Sequence, residues 1–287
     1  YYIIYTTYNI FMKNFYHLLR IKHYIKNFLI FLPLFFIDQD SSDTLLKNLS
    51  FTFLIFCIFA SVIYIYNDLQ DINFDKKHPI KRKNKPLVNG KISILNGYLI
   101  LLVFIALGSI SLFLKQNLIN VILAYLIMNI FYTHYFKKII ILDLFILSSN
   151  YVLRILAGCV TLEVPLSSWM GITIFCGALF LSSLKRKQEL FLYGTKSREV
   201  LKKYSVEGLK IIANISATLC VVFYCTYVIS INDKLIITTP FVLYGIIRYN
   251  YLSDQKNFTD SPVDQIIKDK QNIILIITWL ILIIISK

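Results

Sequence analysis

The apolar residues of this chain come in long unbroken blocks, and nothing else limits its fold so strongly. Nine such segments can be traced, at roughly 25–37, 49–66, 94–114, 118–136, 139–160, 168–184, 207–230, 234–251 and 272–286. Across 287 residues, 57% are hydrophobic and the mean hydropathy is +0.64. Soluble domains are less apolar and do not gather their apolar residues into blocks of this length. In lipid every backbone polar group must be paired internally, which leaves helices or closed barrels. The blocks are continuous rather than alternating, which disfavours a barrel. The expectation is an all-α polytopic membrane protein of about nine transmembrane helices, forming one domain over residues 1–287. Residues 1–19 precede the first block as an N-terminal extension. The first and last blocks are short for a spanning helix.

A formal net charge of +14 invites a nucleic-acid reading. The basic residues form no soluble face, however. They cluster in alternate gaps between blocks: Lys13, Arg20, Lys22 and Lys26; then Lys76 to Lys91; Lys137 and Lys138; Lys185 to Lys203; and Arg248 to Lys270. The intervening gaps, such as "DQDSSDTLLK" and "TLEVPLSS", are poor in base. By the positive-inside rule the N-terminus and the long basic loops are cytoplasmic and the C-terminus is outside, which an odd number of spans requires. No nucleic-acid partner is expected. Cys57, Cys159, Cys176, Cys220 and Cys225 all fall inside apolar blocks without metal-ligand spacing, as small buried hydrophobes do. The opening "YYIIYTTYNIFMKN" has neither the leading basic region nor the cleavage site of a secretory signal.

The second block ends directly in "NDLQDINFD", residues 67–75. On a helix Asp68, Asp71 and Asp75 are spaced by three and four and share a face, with Asn67 one turn before Asp71. Stacked like charges repel unless a cation neutralises them. Oxygen ligands open to water suit Mg²⁺, which commonly takes one or two carboxylates together with substrate phosphates. A solvated acidic helix end would look the same. The residues that follow, "KKHPIKRKNKP", add Lys81, Arg82 and Lys85, which suit a polyphosphate and also suit anchoring at the membrane face.

These residues resemble the UbiA superfamily of intramembrane transferases. "NDLQDINFDKKHPIKRKNKP" is similar to the corresponding stretch of its decaprenyl-phosphate phosphoribosyltransferase branch. "RIKHYIKN" at 20–27, "LDLFILSSNYVLRILAG" at 142–158 and "KRKQEL" at 185–190 resemble further pieces of that branch, and the likeness covers roughly residues 20–280. It is looser near the end, where Asp264 and Lys270 stand in place of the Glu and Arg expected there.

The resemblance implies a UbiA-like bundle in the bacterial inner membrane with a cytoplasm-facing active site. It implies Mg²⁺ as cofactor, phosphoribosyl pyrophosphate as donor and a polyprenyl phosphate as acceptor. Prenyltransferases of the superfamily hold an isoprenyl diphosphate between two Asp-rich motifs. Here the sixth block ends in Lys185, Arg186 and Glu189, a poor second Mg²⁺ cage but a reasonable site for a second anion. Asp68, Asp71 and Asp75 would hold Mg²⁺, and Lys81, Arg82, Lys185 and Arg186 would hold phosphates. Asp143 and Arg154 lie three turns apart on one helix face, read as lining the site; a structural pair of Arg154 with Glu163 is the alternative. Lys22 and Lys26, four apart, either reach the lipid phosphate or anchor the chain. His78 is read as shaping its loop or touching donor, not as a metal ligand. A prenyltransferase moving an isoprenyl chain to an aromatic or lipid acceptor is the alternative function, a transporter the remote one, and a homo-oligomer is left open.

Overall fold

The computed structural model describes residues 12–36, 43–77, 81–196, 198–255, 265–266 and 268–286. Among them there is no strand. Eight of the described α-helices have fourteen residues or more: α1 Asp43–Gln70, α2 Ile94–Leu114, α3 Ile119–His134, α4 Leu142–Thr161, α5 Ser168–Tyr193, α6 Val206–Ile231, α7 Thr239–Leu252 and α8 Lys270–Ser286. Among the described residues each apolar block is mainly helical. Six helices, α1 to α6, are long and apolar enough to cross a membrane, with α3 counted from Gln116. The other three blocks do not meet the combined length and hydropathy requirement, so among the described residues six of the nine expected spans qualify. α8 has 17 residues, α7 has 14, and Ile21–Phe35 is a 3₁₀-helix of 15. The 3₁₀ geometry rises about 2.0 Å per residue, so fifteen residues reach about 30 Å, the thickness of a bilayer core.

The chain divides into two compact units. The first comprises residues 1–30 and 42–134. Its core joins Leu18 and Leu19 to Val62, Ile65 and Leu69 of α1, Leu87 and Ile92 of the following loop, and Leu101 of α2. α1 and α2 approach closely at Gly108, where a Cβ would lie 2.7 Å from the Phe59 ring. Small residues at such a contact let backbones come together where lipid supplies no hydrophobic drive. Ser93 caps α2, accepting from the Asn96 N–H at 3.2 Å.

The second unit comprises residues 31–41 and 135–287. Leu144 of α4 and Leu179 of α5 pack with Val200, Leu201 and Tyr204 of the loop before α6 and with Leu209 at its start. Phe180 and Leu184 of α5 pack with Ala213 and Ala217 of α6 and Tyr249 of α7. Helices α1 and α5, with 28 and 26 residues, are longer than the roughly 20 that a bilayer core requires. Their extra turns carry the acidic and basic motifs.

Candidate functional site

In the first unit α1 continues through Asn67 and Asp68 to Gln70; Asp71 forms a turn (φ −96°, ψ 6°), and Ile72–Asp75 add a further helical turn. Asp68 and Asp75 are each 1% exposed. Carboxylates at a helix C-terminus oppose its dipole, so this end requires cations. Two are present. Lys85 Nζ donates to Asp68 Oδ1 at 2.6 Å and also to Asp75 Oδ2, bridging the two carboxylates. Arg20 Nη2 donates to the same Asp68 oxygen at 2.5 Å, and its guanidinium lies 5.0 Å from the Tyr64 ring centroid. Arg20 adopts φ 54°, a left-handed conformation that is costly for a side-chain-bearing residue. It ends the helix of residues 12–19 and turns the chain so that the guanidinium meets Asp68. Formally, Arg20 and Lys85 cancel Asp68 and Asp75.

Asp71 is half-buried and sits at the turn between α1 and the next helical turn, while the Asp71 N–H on the Asn67 carbonyl at 3.0 Å and the Asp75 N–H on the Asp71 carbonyl at 2.8 Å carry the helical repeat through it. Among the described residues no group of three or more His, Cys, Asp or Glu side chains is gathered to hold a metal. Two carboxylates converging on one cation nevertheless fit Mg²⁺, whose remaining ligands are commonly water and substrate phosphate. Asn67 Oδ1 accepts from the Thr133 hydroxyl of α3. Arg82 is exposed. His78 lies outside the described residues, as does the side chain of Lys81. Lys22 is exposed and Lys26 half-buried. Their spacing of four would align them on an α-helix, but at three residues per turn they point about 120° apart.

In the second unit Arg186 is 2% exposed and Asp143 wholly buried. Arg186 Nε donates to Asp143 Oδ2 at 3.0 Å, and its Nη1 donates to Glu189 Oε2 at 3.0 Å. Arg198 Nε reaches the same Glu189 oxygen at 2.9 Å. The Tyr204 hydroxyl donates to Asp143 Oδ1 at 2.7 Å and accepts the Ile141 N–H at 2.6 Å. Burial, then the Asp143 carboxylate, push the Tyr204 phenol well above its ordinary range, so it remains a donor. Ile141 is the centre of a strained γ-turn (φ 68°, ψ −46°), closed by the Leu142 N–H on the Ile140 carbonyl at 2.8 Å. Lys187 is 4% exposed and donates to Ser253 Oγ at 2.7 Å and to Asp254 Oδ1 at 2.9 Å. Lys210 approaches the same Asp254 oxygen at 3.5 Å. Lys185 is half-buried. Arg154 is 3% exposed, donating to the Asn150 carbonyl at 2.5 Å with its guanidinium 5.7 Å from the Tyr151 ring.

Of the residues expected to act together, the structure joins Asp68, Asp75 and Lys85, and separately Asp143, Arg186 and Glu189. Sequence reasoning did not single out Arg20, Lys187, Arg198 or Tyr204. Arg20 and Lys187 lie inside the stretches "RIKHYIKN" and "KRKQEL", so their position was available; their carboxylate partners are 48 and 67 residues distant.

A helical integral membrane protein with its charged groups gathered on the extra turns of its long helices is a recognisable class, and comparison with known proteins narrows it. The pattern of the UbiA prenyltransferase family matches residues 28–261, and the chain belongs to that family. It is 31% identical over 284 residues to the decaprenyl-phosphate phosphoribosyltransferase of Mycolicibacterium smegmatis, covering 91% of this chain and 88% of that one. It is 28% identical to the protein of the same name from Corynebacterium glutamicum, covering 93% and 85%. A solved UbiA homolog from Archaeoglobus fulgidus, bound to GPP and Mg²⁺, shares its fold with a TM-score of 0.74 at 17% identity, over 95% of this chain and 99% of that one. The chain is thus an enzyme of the UbiA-family transferases.

Proposed function

We propose that the protein transfers 5-phosphoribosyl from phosphoribosyl pyrophosphate to a polyprenyl phosphate at the cytoplasmic face of a bacterial inner membrane, releasing pyrophosphate. The observation that carries this reading is the state of the carboxylates on the extra turns of α5. Glu189, and Asp143 facing it, are tied to the buried Arg186 and to Arg198, and the end of α5 adds Lys185 and Lys187 rather than further carboxylates, a balance that suits a second anion better than a second Mg²⁺. The similarity to phosphoribosyltransferases over about nine tenths of the chain supports the same donor.

Asp68 and Asp75, with Asp71 beside them, would hold Mg²⁺ on the donor diphosphate. Bound there, Mg²⁺ neutralises the departing pyrophosphate. Lys81, Arg82 and Lys85 would bind the diphosphate oxygens, with Asn67 and His78 near the donor. Lys185 and Lys187 are the cations of α5 assigned to the second phosphate, with Lys22 and Lys26 as further contacts to the lipid phosphate. Arg186 holds Asp143 and Glu189 in place. An acceptor phosphate is already anionic at neutral pH, so no general base is required. The ribose carbon gains positive character as its bond to pyrophosphate lengthens, and catalysis is mainly positioning and electrostatics.

The test is incubation of membranes holding the protein with labelled phosphoribosyl pyrophosphate and a polyprenyl phosphate. Label should enter the lipid fraction, and chelation of Mg²⁺ should stop it. Consumption of an isoprenyl diphosphate with an aromatic acceptor, in place of phosphoribosyl pyrophosphate, would move the assignment to a prenyltransferase. Topology has its own check: a cysteine at position 83 should react with an impermeant label only from the cytoplasmic side.

A further inference from the structure

Lys85 Nζ lies within hydrogen-bonding distance of both Asp68 Oδ1 and Asp75 Oδ2, oxygens of the two carboxylates that would hold the metal. Both carboxylates are almost fully buried, while Lys85 retains 17% side-chain exposure. With Arg20 on Asp68 the four groups are formally neutral. A divalent cation entering this cluster alone meets carboxylates already satisfied and an ammonium in the bridging position. A cation arriving with a diphosphate meets a different balance, because the diphosphate offers Lys85 a new anionic partner within reach of its flexible stem.

We infer that Lys85 is the resident counter-ion of the acidic pair, occupying the bridging cation position until a diphosphate draws its ammonium away, so that metal and donor bind together and metal alone binds weakly. This rests on the reading of Asp68 and Asp75 as the metal-holding pair, and it would apply to either diphosphate donor. Lysine suits the role better than arginine. Its charge is a single mobile nitrogen, whereas a guanidinium fixes its partners through a planar fork. Arg20 is the stationary member of the cluster: its backbone is set by the turn at φ 54° and its guanidinium is packed over Tyr64. Exchange of Lys85 therefore leaves one cation on Asp68, and the buried carboxylate is never without a partner.

The test uses the full-length protein in detergent with Mn²⁺ alone and no donor, reading bound against free metal by electron paramagnetic resonance. Lys85→Met and Lys85→Gln remove the charge while keeping most of the side chain's length, and circular dichroism establishes that each is folded. Both should bind Mn²⁺ at least tenfold more tightly than the unaltered protein. Adding Asp68→Asn to Lys85→Met should abolish the gain. Lys85→Arg should bind Mn²⁺ as weakly as the unaltered protein. Equal Mn²⁺ affinity in Lys85→Met, Lys85→Gln and the unaltered protein would overturn the inference. So would a gain that survives Asp68→Asn. Neither result depends on which donor the enzyme uses, so failure here is separable from failure of the transfer assay.

Discussion

Two clusters in this molecule are built to the same formula around different bridging cations. In the first unit one cation bridges Asp68 and Asp75 while a second reinforces Asp68. In the second unit one cation bridges Asp143 and Glu189 while a second reinforces Glu189. The bridging cation is lysine in one and arginine in the other. Lys85 keeps some exposure and offers a point charge that can turn to a new partner. Arg186 is sealed in, directs separate N–H groups at separate carboxylates, and has Tyr204 beside it tying the cluster to the γ-turn at Ile141. The lesson is that charge balance alone does not identify a binding site. The exchangeable balance is the one suited to ligands, and the fixed one holds a loop in place.

The comparison can be broken most sharply at Asp68. Asp68→Asn should reduce phosphoribosyl transfer by about a thousandfold or more, since it removes charge from the place where the leaving group is neutralised. Its thermal unfolding should change little. Substantial transfer by this variant with Mg²⁺ chelated would remove the metal role altogether.

Arg186→Ala should show the opposite pattern. It leaves buried Asp143 with the Tyr204 hydroxyl but without its cation, and Glu189 with Arg198 alone, and should cost about 3–5 kcal/mol of stability, read by denaturant unfolding in micelles. Lys85→Ala should cost less, because Arg20 remains on Asp68 and the Lys85 side chain is itself partly exposed. Equal costs would erase the distinction drawn between the clusters.

A smaller change sharpens the account of the second unit. Tyr204→Phe leaves the ring in place but removes the hydroxyl from Asp143 and from the Ile141 N–H. About 1–2 kcal/mol should be lost, with faster hydrogen exchange at the Ile141 amide. Unchanged exchange there would mean that the γ-turn does not depend on Tyr204.

The smallest effect concerns acid. Burial works against the charged form of Asp254, but Lys187 and Lys210 outweigh it and hold its carboxyl below the usual range. Arg248 holds Asp269 below it too. Depressed carboxyls stabilise the fold fully above their unfolded value of about 3.9, and that support is lost as pH falls through the lower folded value. A modest loss of stability below about pH 4 is therefore expected, and Lys187→Met should reduce the part due to Asp254. A titration identical in both proteins would disconnect Asp254 from Lys187.

The apolar blocks made the helical membrane fold legible, because block length and continuity are local properties of the chain. The spacing of Asp68 and Asp75 was legible for the same reason: two helical turns bring them into line. What completes each cluster was not. Lys85 meets Asp75 across ten residues and Asp68 across 17, and no periodicity announces that. Arg20 reaches Asp68 across 48 residues and Tyr204 reaches Asp143 across 61. Among the described residues six helices meet the requirements for length and apolarity, and the run at 21–35 takes 3₁₀ geometry, which no apolar pattern of fifteen residues distinguishes from α.

That 3₁₀ segment also governs how the chain tolerates insertion and deletion. At three residues per turn its stripes run parallel to its axis instead of winding around it. Asn27, Ile30 and Pro33 form one such buried stripe, and Tyr24, on the same line, meets Ser61 of α1 at 2.6 Å. Asn27 meets Cys57 one turn along α1, at 3.2 Å. Adding or removing three residues preserves the stripe and changes only the length by about 6 Å. Adding or removing one rotates everything beyond it by a third of a turn and brings the line of Lys22, Ile25 and Phe28 into the seam. This segment should accordingly accept length changes in threes, where an α-helix in its place would accept them in sevens.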